Sequence, residues 1–401
     1  MFLIMGKKVS RKFNVCFLAS NIPFNAPTAG FSHTLNVCKN LQKEGNNVLI
    51  IFGAEKERTF KLDKIRIITV RGWEHEGAFS LKSLLYTPIA ILKLVRICIR
   101  YKIDIVHERS GLPRGIGIIA ARILAIKSVT ELNDPFIEEF EIQGLPIFRI
   151  YRILMLLLTN KVLTQTPLLK SMISKDVHSN KIVIIPNGAD ESKFSPLIDG
   201  SIIRKKYNIK DSDIVIIFIG AFQPWHGIDK IVYFAENLKD EFPNVKFLVI
   251  GSGPFFDRIK HEINEKNLEQ KIILTGSVPY EKIPAHLAAA DIAIAPFNID
   301  TYPVLKKHGF WWCPVKLFEY SAMEKPVVTV DIGMNKLIVP PGVAGLLSPS
   351  QQFDDFLEKL KILIKNPELR KEYGKNGRNI VLQKYTWRVI GNRVYQMYSI
   401  L

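Results

Sequence analysis

The chain has 401 residues, 47% hydrophobic and 23% charged, and a formal net charge of +17. That length exceeds what one core usually serves, so two domains are expected, and a composition free of low-complexity tracts excludes a disordered or fibrous chain. The charge points to an anionic partner: nucleic acid, phospholipid headgroups or a phosphate-bearing substrate.

Cys16, Cys38, Cys98 and Cys313 lie far apart without C-x-x-C spacing. They are too sparse for a disulfide framework, and a reducing, cytoplasmic compartment is expected. The opening "MFLIMGKKVSRKFNVCFLAS" carries its charges after its apolar residues. It therefore reads as a tail leading into a first strand rather than as a signal peptide. No segment approaches the roughly 18 uncharged apolar residues of a membrane span.

In chain order, short apolar β-rich runs alternate with helical patterns. The first series of strands is expected at "FNVCFLAS" (13–20), "NVLIIFG" (47–53), "IRIITV" (65–70), "DIVH" (104–107), "SVTEL" (128–132), "KVLTQT" (161–166) and "KIVIIP" (181–186). Between them, "LLYTPIAILKLVRICIRYK" (84–102) puts Lys93, Arg96 and Arg100 on one helical face, and "LPIFRIYRILMLLLTNK" (145–161) sets Arg149 and Arg152 ahead of six apolar residues. Each is either a buried helix with snorkelling basic side chains or a helix lying on a lipid surface. After "NGADESKFSPLIDGS" (187–201) the alternation restarts with "DIVIIFIG", "VKFLVIG", "KIILTG", "IAIAPF", "PVVTV" and "GLLSP".

Strands alternating with helices build parallel sheets. The expected fold class is α/β, with two doubly wound Rossmann-like domains facing across a cleft at their strand ends. The first spans 1–195, the second 196–380, and a C-terminal helical segment, 381–401, packs on either domain.

Three stretches carry chemistry. "VKFLVIGSGPFFDRI" has a Gly-x-Gly turn after a strand, but Phe256 replaces the third glycine and the next strand ends without a ribose-binding acid. A tight turn is expected there, not a nicotinamide or flavin site. In "CPVKLFEYSAMEKPVV" (313–328), Pro314 favours a helix start, so Lys316 and Glu319 share a face near its N-terminus. A cation beside free amides suits a diphosphate, and a carboxylate one turn on suits ribose hydroxyls, although an exposed ion pair would look the same in sequence. "GAFQPWHG" (220–227) places a tryptophan and a histidine between two glycines at a strand end.

"PVKLFEYSAMEKPVV" resembles the "P-x-K-L-F-E-Y-M-A-x-G-K-P-V-V" signature of retaining glycosyltransferases of family 4, which have the GT-B fold. "TAGFSHTLNVCKNLQKEGNNVLI", "VIIPNGADESKFSP", "FIGAFQPWHGIDKIV", "LVIGSGPFFDRI", "VPPGVAGLLSPS" and "KYTW" follow in the family's order. "HERSGLPRG…TELNDPFIEEF" (107–140) is similar to one branch of it.

The resemblance implies a nucleotide-sugar donor bound mainly by the second domain, as substrate and with no separate cofactor. Glu319 matches the ribose-binding glutamate; Lys316 and the amides around Val315 to Leu317 match the diphosphate-binding part; Gly251 and Gly253 match the turn beneath the nucleotide. Gly220 opens the diphosphate turn, and Gly30 falls, within one residue, at the glycine-rich first loop that lets backbone approach donor phosphate. Three departures from the pattern cover four positions: Trp311 stands for the first glutamate of E-x7-E, Ala221 and His226 for a basic pair, and Asn133 for a histidine of the acceptor domain. Asn133 can hydrogen-bond a sugar hydroxyl but cannot carry a proton.

The resemblance implies retaining transfer of a sugar to a glycan or lipid-linked acceptor; Lys316, His226 working partly as imidazolium and the helix amides are the donors expected to meet the leaving diphosphate. No metal site is expected, and Asp291, at a strand start, reads as structural. Two other readings stay open at this point: a lipid- or polymer-binding module on a degenerate transferase fold, and, from charge alone, a nucleic-acid binder that lacks any accompanying motif.

Overall fold

In the computed structural model the described residues are 11–25, 28–71, 81–109, 115–135 and 146–401. The opening tail and parts of the 107–140 motif lie outside them. The chain divides into two compact units: Met1–Thr164 with Lys170–Ile185 and Gly391–Leu401, and Gln165–Leu169 with Pro186–Ile390.

The first unit holds an eight-stranded sheet. Its strands are β1 (Asn14–Pro23), β2 (Asn47–Gly53), β3 (Arg58–Leu62), β4 (Ile65–Val70), β5 (Ile105–Arg109), β6 (Lys127–Leu132), β7 (Lys161–Thr164) and β8 (Ile182–Ile184), in the spatial order β3-β4-β2-β1-β5-β6-β7-β8. All neighbours are parallel except β3 and β4. The seven strands expected from the sequence are present, while β3 is additional. "RTFKL" is a charged, largely exposed edge with no apolar run, and it pairs with β4 through a turn in which Asp63 has φ 54°. Central strands such as "VLIIF" are buried along their length, as strands covered on both faces must be.

The second unit holds β9 (Ile214–Ile219), β10 (Val245–Ile250), β11 (Ile272–Gly276), β12 (Ile292–Ala295), β13 (Val327–Val330) and β14 (Gly345–Ser348), all parallel, in the order β11-β10-β9-β12-β13-β14. This is the doubly wound order of dinucleotide-binding sheets, and the direction of winding reverses between β9 and β12. Ligands of such sheets bind outside the carboxyl ends at that reversal, so the segments leaving β9 and β12 are the first place to look.

Residues 186–195 group with the second unit. Asn187 ties them there, donating from Nδ2 to the Cys313 carbonyl at 2.8 Å and from its backbone N–H to Cys313 Sγ at 3.3 Å. From Gly391 onward, the helix Trp387–Ser399 belongs to the first unit, where Gly391 lies so near Asn40 that a Cβ would come within 2.5 Å of it. All four cysteines are buried and unpaired. Among the described residues no helix is long and apolar enough to cross a membrane.

Candidate active site

The turn "GAFQPWHG" leaves β9 at the winding reversal and is held by close backbone packing. Gly227 has φ 66°, and a Cβ there would lie 1.7 Å from the carbonyl oxygen of Pro296, just beyond β12. Gly251 has φ 141°, and a Cβ there would strike the Gly220 carbonyl oxygen at 1.8 Å. Gly253 likewise underlies Phe222, whose N–H donates to the Ser252 carbonyl at 2.9 Å. The Gly-x-Gly turn after β10 is thus the seat on which the β9 turn rests.

Pro314 caps the helix Val315–Ala322 and offers no side-chain acceptor. The Leu317 N–H donates to the Pro314 carbonyl at 3.2 Å, so the amides of Val315 and Lys316, without a bonded partner among the described residues, are the open ones. Of the three amides implied by the resemblance, Leu317's is already engaged.

Lys316 folds back over Gly220: a Cβ on that glycine would be 2.5 Å from Nζ. The ammonium lies 4.5 Å from the Phe218 ring centroid and 5.4 Å from that of Phe297. It is buried with no hydrogen-bond partner among the described residues. Burial pulls its pKa down to about 7, against the smaller opposing pull of Glu319. A cation held dry and unpaired is costly unless an anion arrives to meet it.

Glu319, one turn on, is also buried, and its Oε1 accepts from Tyr280 Oη at 2.6 Å. Burial raises its pKa to about 7, opposed by the Tyr280 bond and by Lys193 and Lys316. Lys193 sits 3.9 Å from the centroid of the Tyr280 ring. Tyr320 anchors the helix to the end of β9, its Oη accepting from the Ile219 N–H at 2.8 Å.

His226 ends a 3-10 turn, Pro224–His226, with Nδ1 2.6 Å from the Ala221 carbonyl oxygen. A carbonyl only accepts, so Nδ1 carries the proton and Nε2 of the neutral ring is an acceptor. Burial, and then the charge of Lys316, pushes its pKa down to about 3. The ligand-free histidine is therefore neutral at pH 7, and the expected imidazolium is absent from the ligand-free site.

Trp311 is buried, and its carbonyl accepts from Thr166 Oγ1 at 2.9 Å. It is a core residue where the family pattern has a sugar-contacting acid. Trp225 lies 4.7 Å from Tyr302 and 5.6 Å from Trp312, ring centroid to centroid, forming a half-buried aromatic group beside His226. Asp291 is structural as expected: Oδ2 accepts from the Val215 N–H and from Arg204, both at 2.8 Å.

The remaining two predicted positions belong to the first unit. Gly30 is in the first turn of the helix Ala29–Lys43 rather than in a loop, because Thr28 caps that helix by accepting from the Phe31 N–H. A Cβ on Gly30 would meet Ile22 at 3.1 Å, so the glycine seats the helix on β1. Asn133, half-buried, follows β6 directly.

Near Asn133 is a cluster the sequence reading did not assign. Buried Glu131 bonds Arg109, stands 3.2 Å from His33 Nε2 and 3.4 Å from His107 Nε2, and His107 Nδ1 is 2.6 Å from Tyr398 Oη. Burial and Arg109 hold His107 at a pKa of about 3, so Glu131 is balanced mainly by the guanidinium, which it fixes at the end of β5. The strings "HER" and "TEL" contained His107, Arg109 and Glu131, but their partnership across neighbouring strands, and with His33 and Tyr398 from two helices, is tertiary. Tyr280 and the aromatic group were likewise missed, since they lie far in sequence from the residues they touch.

The family model described as glycosyl transferases group 1 matches residues 199–380, and the model described as Glycosyltransferase Family 4 matches 31–193. An uncharacterized glycosyltransferase of Methanocaldococcus jannaschii is 26% identical over 305 residues, 74% of this chain and 76% of that protein. The Escherichia coli UDP-Gal:alpha-D-GlcNAc-diphosphoundecaprenol alpha-1,3-galactosyltransferase is 24% identical over 315 residues, 76% of this chain and 77% of its own length. Among solved structures, Anabaena HepE in complex with UDP and glucose superposes with a TM-score of 0.73 at 18% identity, covering 97% of this chain and all of that one. With both halves matched and a mostly parallel Rossmann-like sheet in each unit, the chain belongs to the family 4, group 1 glycosyltransferases and has the GT-B fold.

Proposed function

We propose that this chain is a retaining, metal-independent hexosyltransferase that moves a sugar from a nucleotide donor to a glycan or lipid-linked acceptor in cell-surface polysaccharide or glycoconjugate synthesis. The observation that carries the proposal is the buried, unpartnered Lys316 ammonium above Gly220, beside two open helix amides and one turn from Glu319. A diphosphate supplies the missing counter-charge, and the ribose hydroxyls supply donors for Glu319.

In the reaction the bond between the anomeric carbon and the β-phosphate oxygen breaks, and charge grows on that oxygen. Lys316 and the amides of Val315 and Lys316 are positioned before the reaction, so they stabilise this charge without reorganising. His226, neutral while the donor binds, takes a proton from solvent only as charge grows on the leaving oxygen, and then offers Nε2–H. The acceptor hydroxyl attacks from the face the phosphate leaves, and its proton passes to the departing oxygen. Asn133 orients an acceptor hydroxyl. The relatives' names support a nucleotide-sugar donor and a lipid-linked acceptor: the Escherichia coli relative is a UDP-Gal and diphosphoundecaprenol enzyme.

The same reading places the chain at the cytoplasmic face of a membrane. The helices Leu81–Arg100 and Pro146–Leu158 leave Ile89, Leu92, Ile99, Ile150, Leu154 and Leu157 exposed beside basic residues. Arg152 does not contribute to that face, because Asp176 engages it.

A thermal-shift screen with UDP-, GDP- and ADP-sugars, followed by product NMR with a matched acceptor, tests the function. A stabilising donor and an axial product from an axial donor are expected. Stabilisation by a nucleoside diphosphate without hydrolysis or transfer would instead favour a binding module, the reading to which Trp311 in place of the family's glutamate lends support.

A further inference from the structure

A surface cavity of about 320 Å³ lies in the first unit, between the β3–β4 hairpin and the C-terminal half of the helix Leu81–Arg100. It shares no residue with the candidate active site. Arg58, Lys93, Arg96 and Arg100 line it with one carboxylate, Glu57, and the Tyr101 ring. Lys93 is spoken for by Glu57, whose pKa it lowers through their hydrogen bond. The guanidinium groups of Arg58, Arg96 and Arg100 donate no hydrogen bond to protein among the described residues; Arg100 and Arg66 stand over the Tyr101 ring at 5.6 and 4.4 Å.

Three exposed arginines without a protein hydrogen-bond partner among the described residues line one concavity, and an anion bound there would relieve their mutual repulsion. Their forked donors match the oxygens of a phosphate. The helix that supplies Lys93, Arg96 and Arg100 also leaves Ile89, Leu92 and Ile99 exposed by 60, 58 and 63%. Leu92 and Ile99 each precede a basic residue by one position and Ile89 lies one turn before Leu92, a pattern a free phosphate does not require and a lipid does.

We propose that this cavity is a receptor for the phosphate-bearing headgroup of a bilayer lipid, with Ile89, Leu92 and Ile99 entering the acyl boundary beside it. The proposal rests on the membrane placement in the proposed function and is independent of the donor chemistry.

The test is sedimentation with phosphatidylcholine vesicles with and without phosphatidylglycerol. The wild type is expected to bind only the anionic vesicles. Each basic residue near such a surface contributes roughly a fivefold change in partitioning, so Arg96→Ala with Arg100→Ala should weaken binding about 25-fold with an unchanged melting temperature. Lys205→Ala with Lys206→Ala, an equal charge removed from an exposed helix of the second unit, should change it less than about twofold. Equal losses from both double variants would assign the binding to diffuse charge and overturn the cavity. A wild type indifferent to anionic vesicles would overturn the cavity and the membrane placement together, leaving the transfer reaction standing. If inorganic phosphate raises the melting temperature of the wild type but not of the Arg96/Arg100 variant, while the two bind vesicles alike, the site takes a free phosphate and the lipid occupant is wrong.

Discussion

Nucleotide-sugar affinity is predicted to peak near neutral pH, and single substitutions at Lys316 and Glu319 should each remove one side of the peak. Donor binding as proposed needs Lys316 charged for the diphosphate and Glu319 ionised for the ribose. Burial puts both groups at about 7 in the ligand-free protein, the lysine lowered and the carboxyl raised. Above pH 7 the lysine loses its proton, and below pH 7 the carboxylate gains one, so affinity falls in both directions. With both midpoints near 7, about a quarter of the molecules at pH 7 hold the competent pair and roughly 1 in 100 at pH 5 or 9, an affinity loss of about 25-fold at either end. Glu319→Gln should abolish the acid limb, leaving affinity level below pH 7 and falling about tenfold per unit above it, or about 1.4 kcal/mol per unit. Lys316→Met should abolish the alkaline limb and weaken binding throughout. Isothermal titration with a UDP-sugar suits the measurement, because its diphosphate diester does not titrate between these limits. Affinity that stays flat from about pH 5 to 9, or an acid limb that survives Glu319→Gln, would refute the reasoning.

Removing His226 by His226→Ala should lower kcat about 10²-fold, the effect of one lost transition-state donor, and His226→Lys should retain activity; steady-state rates at saturating donor decide. Tyr280→Phe removes the 2.6 Å bond that favours ionised Glu319, so the donor KM should rise about tenfold and the acid limb of the affinity profile should move to higher pH. Trp311→Glu, which reinstates the family's acid, empties a buried aromatic site and buries a carboxylate in it. It should cost about 3–5 kcal/mol and lower the melting temperature by roughly 10 °C, and an unchanged melting curve would show that the acid fits.

Much of the fold was legible because its signals are local. Apolar runs such as "IVIIFI" and "VKFLVI" can be satisfied only as strands covered on both faces, and alternation with helices leaves a parallel sheet as their arrangement. The edge strand β3 escaped for the same reason in reverse: a solvent-facing, charged strand carries no hydrophobic period. In the candidate site, Lys316 and Glu319 were readable from their helical spacing. The ionisation of each was not, because it depends on burial among groups distant in sequence, with Phe218 and Phe297 beside Lys316 and Tyr280 on Glu319.

The sequence by itself determined two doubly wound domains, a helix start at Pro314 and a histidine turn at the end of β9. Only the tertiary structure decided which amides of that helix remain open, that Lys316 lies dry over Gly220, that Tyr280 holds Glu319, and that Trp311 is core. Spacing along a chain fixes which side chains share a face; dielectric and hydrogen-bond partners are set by atoms distant in sequence, and these decide which charges a site can hold.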